Sequence, residues 1–345
     1  MTFSAKKSFF ISALLIITLV GTSIFGVAAD KPIKVGITQI VEHPALNAVR
    51  DAVIDKVTEA GYERDTDVEF LLKNAQGDTT NATSIAQSFK SDGVDYVVTI
   101  ATPTAIAAAQ EIKETPIIVS AVTNLVEAGL VESFDAYKNP ENNGNITGIS
   151  DQVPVKAQFE LIKKMVPDAK RVGTIYNPGE ANAVFLNKLA KDAADELGLK
   201  LVEATASNTA AVNAAAQSLQ GRIDAVWIST DNTVVSALPV VSKITKKEKV
   251  PLVVADPTSV FEGSLAGSGF DYYDHGLRAG EILLEVMDGT PPNEIPIQTM
   301  QVEDLMLSLN LDYAREIDYK FPEEVFNQAT EMVGGGKTWV VEEEN

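Results

Sequence analysis

The stretch DYVVTIATPTA (95–105) returns as DAVWISTDNTV (224–234): an Asp, an apolar run, then a turn of Thr, Pro, Asp and Asn leading into small and apolar residues. VGITQI (35–40) likewise returns as VGTIYN (172–177), and TPIIVSA (115–121) as VPLVVAD (250–256), at nearly the same offset. A strand buried on both faces reads as a near-continuous apolar run, and in an open parallel sheet ligands meet the polar loops beyond the carboxyl ends of the strands. The repeat therefore predicts two copies of one α/β lobe, each with a parallel sheet, facing each other across a cleft.

The rest of the chain fits that plan. Apolar runs alternate with helical periods from Ile33 onward in the βαβ manner. Ala45 to Ala60 carries Ala45, Val49, Val53 and Val57 on one stripe and stops at Gly61, and Ala183 to Leu197 stops at Gly198. The reading places lobe one at 30–150 and 272–296 and lobe two at 151–271 and 297–330. The chain then crosses between lobes near Ser150, Asp271 and Ile297, which makes a three-stranded hinge. Gly334-Gly335-Gly336 and the acidic end after it show no helical period, so 331–345 reads as a flexible tail.

Composition narrows the function. Against 28 Lys and Arg stand 48 Asp and Glu, a net charge of −20 that repels nucleic-acid phosphates and anionic membranes. The chain has no Cys, which excludes disulfides, thiolate metal sites, Cys nucleophiles and a lipid-modified cysteine. Its two His, His43 and His275, make a poor transition-metal set and read as loop residues bonded to backbone or water. GGGKT (334–338) lacks the spacing and the preceding strand of a phosphate loop, and no nucleophile elbow, dinucleotide fingerprint or zinc-protease motif occurs. No cofactor, metal or catalytic residue is expected.

Residues 1–29 read as an export signal, with Lys6 and Lys7 before an apolar stretch and Val27-Ala28-Ala29 as a cleavage site, or else as an uncleaved membrane anchor. Either way the remainder lies outside the cytoplasm, periplasmic or at the cell surface.

The strand ends supply the candidate site. Thr102-Pro103-Thr104 and Asp231-Asn232-Thr233 each open a helix, where free N–H groups and the positive dipole end suit a carboxylate, although Thr and Asp there also serve as plain helix caps. Asp151, Glu180, Asp231, Asp256 and Asp271 are the acidic strand-end residues, suited to a ligand ammonium or to capping. Tyr176, Tyr272 and Tyr273 are possible ring-stacking groups or core.

Eight ordered phrases carry a family resemblance: GITQIVEHPALNAVRDAV (36–53), KNAQGD (73–78), ATPTA (101–105), AVTNLVEAGLV (121–131), GNITGISD (144–151), IYNPGEANA (175–183), STDNTV (229–234) and LAGSGFDYYDHG (265–276). Over about 33–310 the chain resembles the tryptophan/tyrosine-binding group of ABC transporter substrate-binding proteins. The resemblance implies a type I periplasmic-binding fold: two Rossmann-like lobes with parallel sheets, joined by a three-stranded hinge. It implies a monomer that closes on an amino acid, often aromatic (tryptophan, phenylalanine or tyrosine), and delivers it to ABC permease subunits. It also implies ligand-binding loops at Gln39, Thr102, Pro103, Thr104, Ala121, Val122, Asp151, Asn177, Glu180, Asn182, Asp231, Asn232 and Asp271. On this reading the helix start at Thr102–Thr104 meets the ligand carboxylate, and Asp231, Glu180 or Asp271 meets its ammonium. Two departures stand out: the family's lipid-attachment Cys is missing, and Asn124-Leu125 replaces the usual Asp-Pro. The alternatives are an extracytoplasmic enzyme using paired carboxylates, such as a glycosidase, and a ligand-sensing subunit of a signalling receptor; sugars and nucleosides remain open as ligands.

Overall fold

The computed structural model describes residues 31–139 and 144–341, so the expected leader at 1–29 lies outside the described residues. The strands are β1 (Ile33–Gln39), β2 (Val68–Asn74), β3 (Tyr96–Ile100), β4 (Ile117–Val122), β5 (Ile146–Ser150), β6 (Arg171–Tyr176), β7 (Lys200–Thr205), β8 (Ala225–Ile228), β9 (Leu252–Val254), β10 (Ala266–Phe270), β11 (Gln298–Thr299), β12 (Leu305–Asn310), β13 (Glu331–Gly334) and β14 (Lys337–Val340). The helices are α1 (Pro44–Glu59), α2 (Thr79–Asp92), α3 (Thr102–Glu111), α4 (Val155–Met165), α5 (Ala181–Glu196), α6 (Thr209–Ser218), α7 (Asn232–Val235), α8 (Leu238–Lys247), α9 (Tyr272–Met287), α10 (Leu311–Glu316) and α11 (Glu323–Asn327).

They build two lobes on two sheets. The first sheet runs β11-β5-β4-β3-β1-β2 and is parallel throughout. The second runs β14-β13-β12-β10-β9-β8-β6-β7; it is parallel from β10 to β7, while β12 lies antiparallel to β10. In the first lobe Val35, Ile37, Val98 and Ile100 face the core shared with α1, whereas Val97, Ile117 and Val119 face Phe89 of α2 and Ala105 and Ala108 of α3. Alternate residues thus serve opposite faces, which is why these strands read as unbroken apolar runs.

Because α9 packs on α1, residues after 271 belong to the first lobe. The two helices approach closely at Gly276, where a Cβ would stand 2.6 Å from the Val49 carbonyl oxygen. The chain stays in the first sheet through β11, which pairs with β5 at Gln298↔Ile149 and Thr299↔Ser150, so its third crossing falls just beyond Thr299. In the second lobe Trp227 donates from Nε1 to Gln158 Oε1 at 2.9 Å, and Gln158 Nε2 donates to the Ser268 carbonyl, tying α4 to the sheet.

Two expectations are corrected here. The segment from 331, read as a flexible tail, forms β13 and β14, a hairpin that extends the second sheet; β13 pairs with β12 at Ser308↔Glu331 and Leu309↔Met332. Gly335 and Gly336, with φ of 57° and 72°, form its two-residue turn, the backbone state that Gly-Gly supplies for a tight hairpin. His275 is also not a loop residue: it sits fully buried inside α9.

Candidate functional site

Between the carboxyl ends of the two sheets lies a cleft of about 970 Å³. The first lobe lines it with Ile40, Val41, Glu42, Asn74, Gln76 to Thr80 and Pro103, the second with Asn177 to Glu180, Ser207 to Thr209, Asn232, Thr233 and Ser236. That volume lies within the range of small-molecule sites. Of the expected site residues Pro103, Asn177, Glu180 and Asn232 line this space, and the others sit behind or beside it.

The two repeated turns face it with opposite electrostatics. In the first lobe α3 has no side-chain cap: its N-cap is Ala101, held at φ 84°, and Pro103 has no N–H to offer. Thr104 spends its hydroxyl on the Ile100 and Ala101 carbonyls, both at 2.8 Å. Thr102, although only 2% exposed, has no partner for its hydroxyl among the described residues. The first-turn N–H groups of such a helix lack intrahelical acceptors, so this end presents donors and positive potential. A non-glycine residue at positive φ is strained, and this one turns the chain abruptly into the helix.

In the second lobe the equivalent helix start is saturated with carboxylate. Glu180 accepts from Asn232 N–H at 3.1 Å, Asn232 Nδ2 at 2.6 Å, Thr233 N–H at 3.0 Å and Thr233 Oγ1 at 2.7 Å. Asp231 accepts from Val234 N–H at 2.9 Å and from Asn177 N–H at 2.5 Å. Both are buried, and neither has an ion-pair partner among the described residues. Burial, and then the neighbouring Glu180 carboxylate, push the Asp231 carboxyl well above its ordinary value. Two buried acids without a counter-cation form a site that a ligand cation would stabilise.

The remaining expected residues have settled local partners. Gln39 donates to the Val41 carbonyl and Asn47 Oδ1 and accepts from Arg50. Ala121, at φ 51°, donates its N–H to His275 Nε2 at 2.9 Å, and Val122 is fully buried. Burial, with the Arg278 charge adding to it, drives His275 down to about 3, so the ring is neutral and serves as an acceptor. Asn177 donates to Thr233 Oγ1, and Asn182 donates to the Thr230 carbonyl while its Oδ1 stays buried without a partner. Asp271 caps α9 by accepting from Tyr273 and Asp274 N–H. Asp151, at the first crossing, accepts from Tyr272 Oη at 2.7 Å, and burial pushes it up to about 6 against that bond.

None of Tyr176, Tyr272 and Tyr273 lines the large cleft; Tyr273 bonds Asp55 on the surface. The apolar wall is instead Ile40, Val41, Pro103 and Pro178. The turns Asn74–Thr80 and Ser207–Thr209 were missed as site residues, although they follow β2 and β7 and obey the same carboxyl-end rule.

Ser259, His43 and Asp256 also lie together, but not in the order of a hydrolytic triad. The Ser259 hydroxyl donates to Asp256 Oδ2 at 2.5 Å, and His43 Nδ1 accepts from Ala45 N–H, so the Asp orients the Ser rather than the imidazole.

The chain matches one family model, that of ABC transporter substrate binding proteins, over residues 34–333. The chain belongs to that family. It is 36% identical over 290 residues to a tyrosine-binding protein of Clostridioides difficile, covering 84% of this chain and 82% of that one. It superposes with a TM-score of 0.82 on a Streptococcus ABC domain in complex with L-Trp, at 29% identity over 88% of this chain and all of that one. On a ligand-free, open substrate-binding protein with adhesive properties from Clostridium difficile the TM-score is 0.64, at 34% identity over 87% of this chain and 98% of that one. The fold is the type I periplasmic-binding architecture. As a substrate-binding protein of an ABC transporter, the chain works outside the cytoplasm with permease subunits.

Proposed function

We propose that this chain binds an aromatic L-amino acid in the interlobe cleft and releases it unchanged to its permease, without catalysing a reaction. The observation that carries the reading is the pairing of opposite ends: an uncapped α3 with a free Thr102 hydroxyl, and a pair of buried carboxylates with no counter-cation. A zwitterion laid across the cleft satisfies both, its carboxylate on the Thr102–Thr104 helix start and its ammonium towards Glu180 and Asp231. The tyrosine-binding relative and the L-Trp complex favour an aromatic side chain, which would lie against Ile40, Val41, Pro103 and Pro178.

The lobes close about the three crossings, and residues 1–29 export the chain or anchor it. We read the described arrangement as the closed one, because it overlaps the L-Trp complex more than the open relative although its sequence is nearer the latter. Binding must favour closure by several kcal/mol for a permease to tell loaded from empty.

Titration calorimetry tests the proposal with L-tyrosine, L-tryptophan and L-phenylalanine beside tyramine, which lacks the carboxylate, and 3-(4-hydroxyphenyl)propionate, which lacks the ammonium. The expected result is binding of at least one amino acid and at least a hundred-fold loss for both analogues. Equal affinity for tyrosine and either analogue overturns the assignment of that end.

A further inference from the structure

Away from the cleft's open space, one side-chain polar contact spans the two lobes outside the connecting segments. His43 caps α1 in the first lobe, and Ser259 lies in the 3₁₀ turn Pro257–Val260 of the second. Ser259 Oγ stands 3.5 Å from His43 Nε2. Among the described residues no other side-chain hydrogen bond joins the lobes outside the connecting segments.

The polarity of the contact follows from its neighbours. Ala45 N–H points at His43 Nδ1 at 3.3 Å, so the proton of the neutral ring belongs on Nε2. The Ser259 hydroxyl proton is committed to Asp256, whose two oxygens also accept from Thr258 and Ser259 N–H. Ser259 Oγ therefore has lone pairs but no proton to offer, and His43 Nε2 has a proton but no other acceptor among the described residues. All three side chains are buried, at 5%, 0% and 3% exposure for His43, Ser259 and Asp256. Opening the lobes would strip Nε2 of this partner and admit water. At 3.5 Å the contact is at the long limit of a hydrogen bond, and a few tenths of an ångström of further closure bring it into the ordinary range.

We propose that His43 and Ser259 are positioning residues for ligand retention: a latch, oriented by Asp256 and by the α1 cap, that forms as the lobes close and slows their reopening. The pair does not touch the ligand. The hollow beside it, lined by His43, Thr230, Asn232, Asp256 and Tyr272, is about 30 Å³, room for one water and not for an amino acid. The inference rests on reading the described arrangement as closed.

The test uses the absence of cysteine. Fluorophores on Lys73→Cys and Lys200→Cys, at exposed positions on the two outer edge strands, report interlobe distance by energy transfer. His43→Asn keeps an acceptor for Ala45 N–H and loses Nε2, His43→Gln returns an N–H near the Nε2 position, and Ser259→Ala removes the acceptor. With L-tyrosine or L-tryptophan as ligand, His43→Asn and Ser259→Ala should each raise the dissociation rate about five-fold with association nearly unchanged. The double variant should be no worse than either single, and His43→Gln should recover most of the loss. Additive losses, or unchanged dissociation in both single variants, overturn the latch. If the wild type closes on no aromatic amino acid, the ligand assignment fails, and the ligand-free distance distributions then decide: a shift to longer distance in both variants supports the latch, and no shift overturns it.

Discussion

The turn after β3 and the turn after β8 occupy matching places in one repeated phrase and carry opposite chemistry. Thr102 and Asp231 occupy matching places in ATPTA and STDNTV. At the first, a strained Ala101 leads into a ten-residue helix with no side-chain cap and an idle hydroxyl. At the second, a four-residue helix is held by two acids that receive six hydrogen bonds. A duplicated lobe would greet a symmetric ligand with two like surfaces. On the proposed binding mode the difference supplies a donor end and an acceptor end, so the cleft would read a ligand's direction as well as its size.

The strongest way to break this comparison is to remove an acid. Glu180→Ala leaves four donors without their acceptor and should destabilise the protein by about 3 kcal/mol in denaturant unfolding, while the matching loss in the other lobe, Thr102→Val, should stay within about 0.5 kcal/mol of wild type. Equal costs would make the two turns alike after all. Asp231→Asn keeps the shape of the neutral acid but has no proton to release and cannot become a carboxylate. Affinity for the amino acid should fall about thirty-fold or more, roughly 2 kcal/mol, while stability at pH 7 holds or rises. Because burial and Glu180 push Asp231 up, ligand ammonium should drive its proton off, and calorimetry in buffers of different ionisation enthalpy should record proton release that vanishes in Asp231→Asn.

Asp151 sharpens the comparison as a buried acid away from both turns. Its folded value of about 6 lies above the unfolded value near 3.8, so ionising it costs the native state more than the unfolded one. Its contribution is greatest below about pH 4, declines between pH 4 and 6 and is flat above. Asp151→Asn should erase that decline and stabilise the protein at pH 7 by about 2 kcal/mol with affinity little changed; a difference between wild type and variant that does not vary with pH would remove the charge as the cause. The smallest effect is at Thr102 itself: Thr102→Val should weaken binding about five-fold, visible by titration, with no loss of stability.

The strand ends were legible because βαβ patterning and the carboxyl-end rule are local. That reading reached Thr102 and Asp231, and it would have reached Asn74–Thr80 and Ser207–Thr209 had it been applied to every strand. What Glu180 does was not legible: its four donors come from a turn some fifty residues on, and only the pairing of β6 with β8 brings them together. The hairpin at 331–340 was hidden for a similar reason. Its short strands have little local signal, and β13 becomes a strand by pairing with β12, which lies more than twenty residues earlier.

The crossings have a temporal consequence. Lobe one lacks α9 and β11 until residue 299 has been made, and lobe two lacks β12 to β14 until residue 340. A nascent chain ending at Phe270 has most of both sheets and all of neither, with the apolar face of α1 bare where α9 will lie. Neither lobe is complete before residue 299 and the second is not complete before residue 340, so most of the chain must emerge before either lobe has all of its sheet.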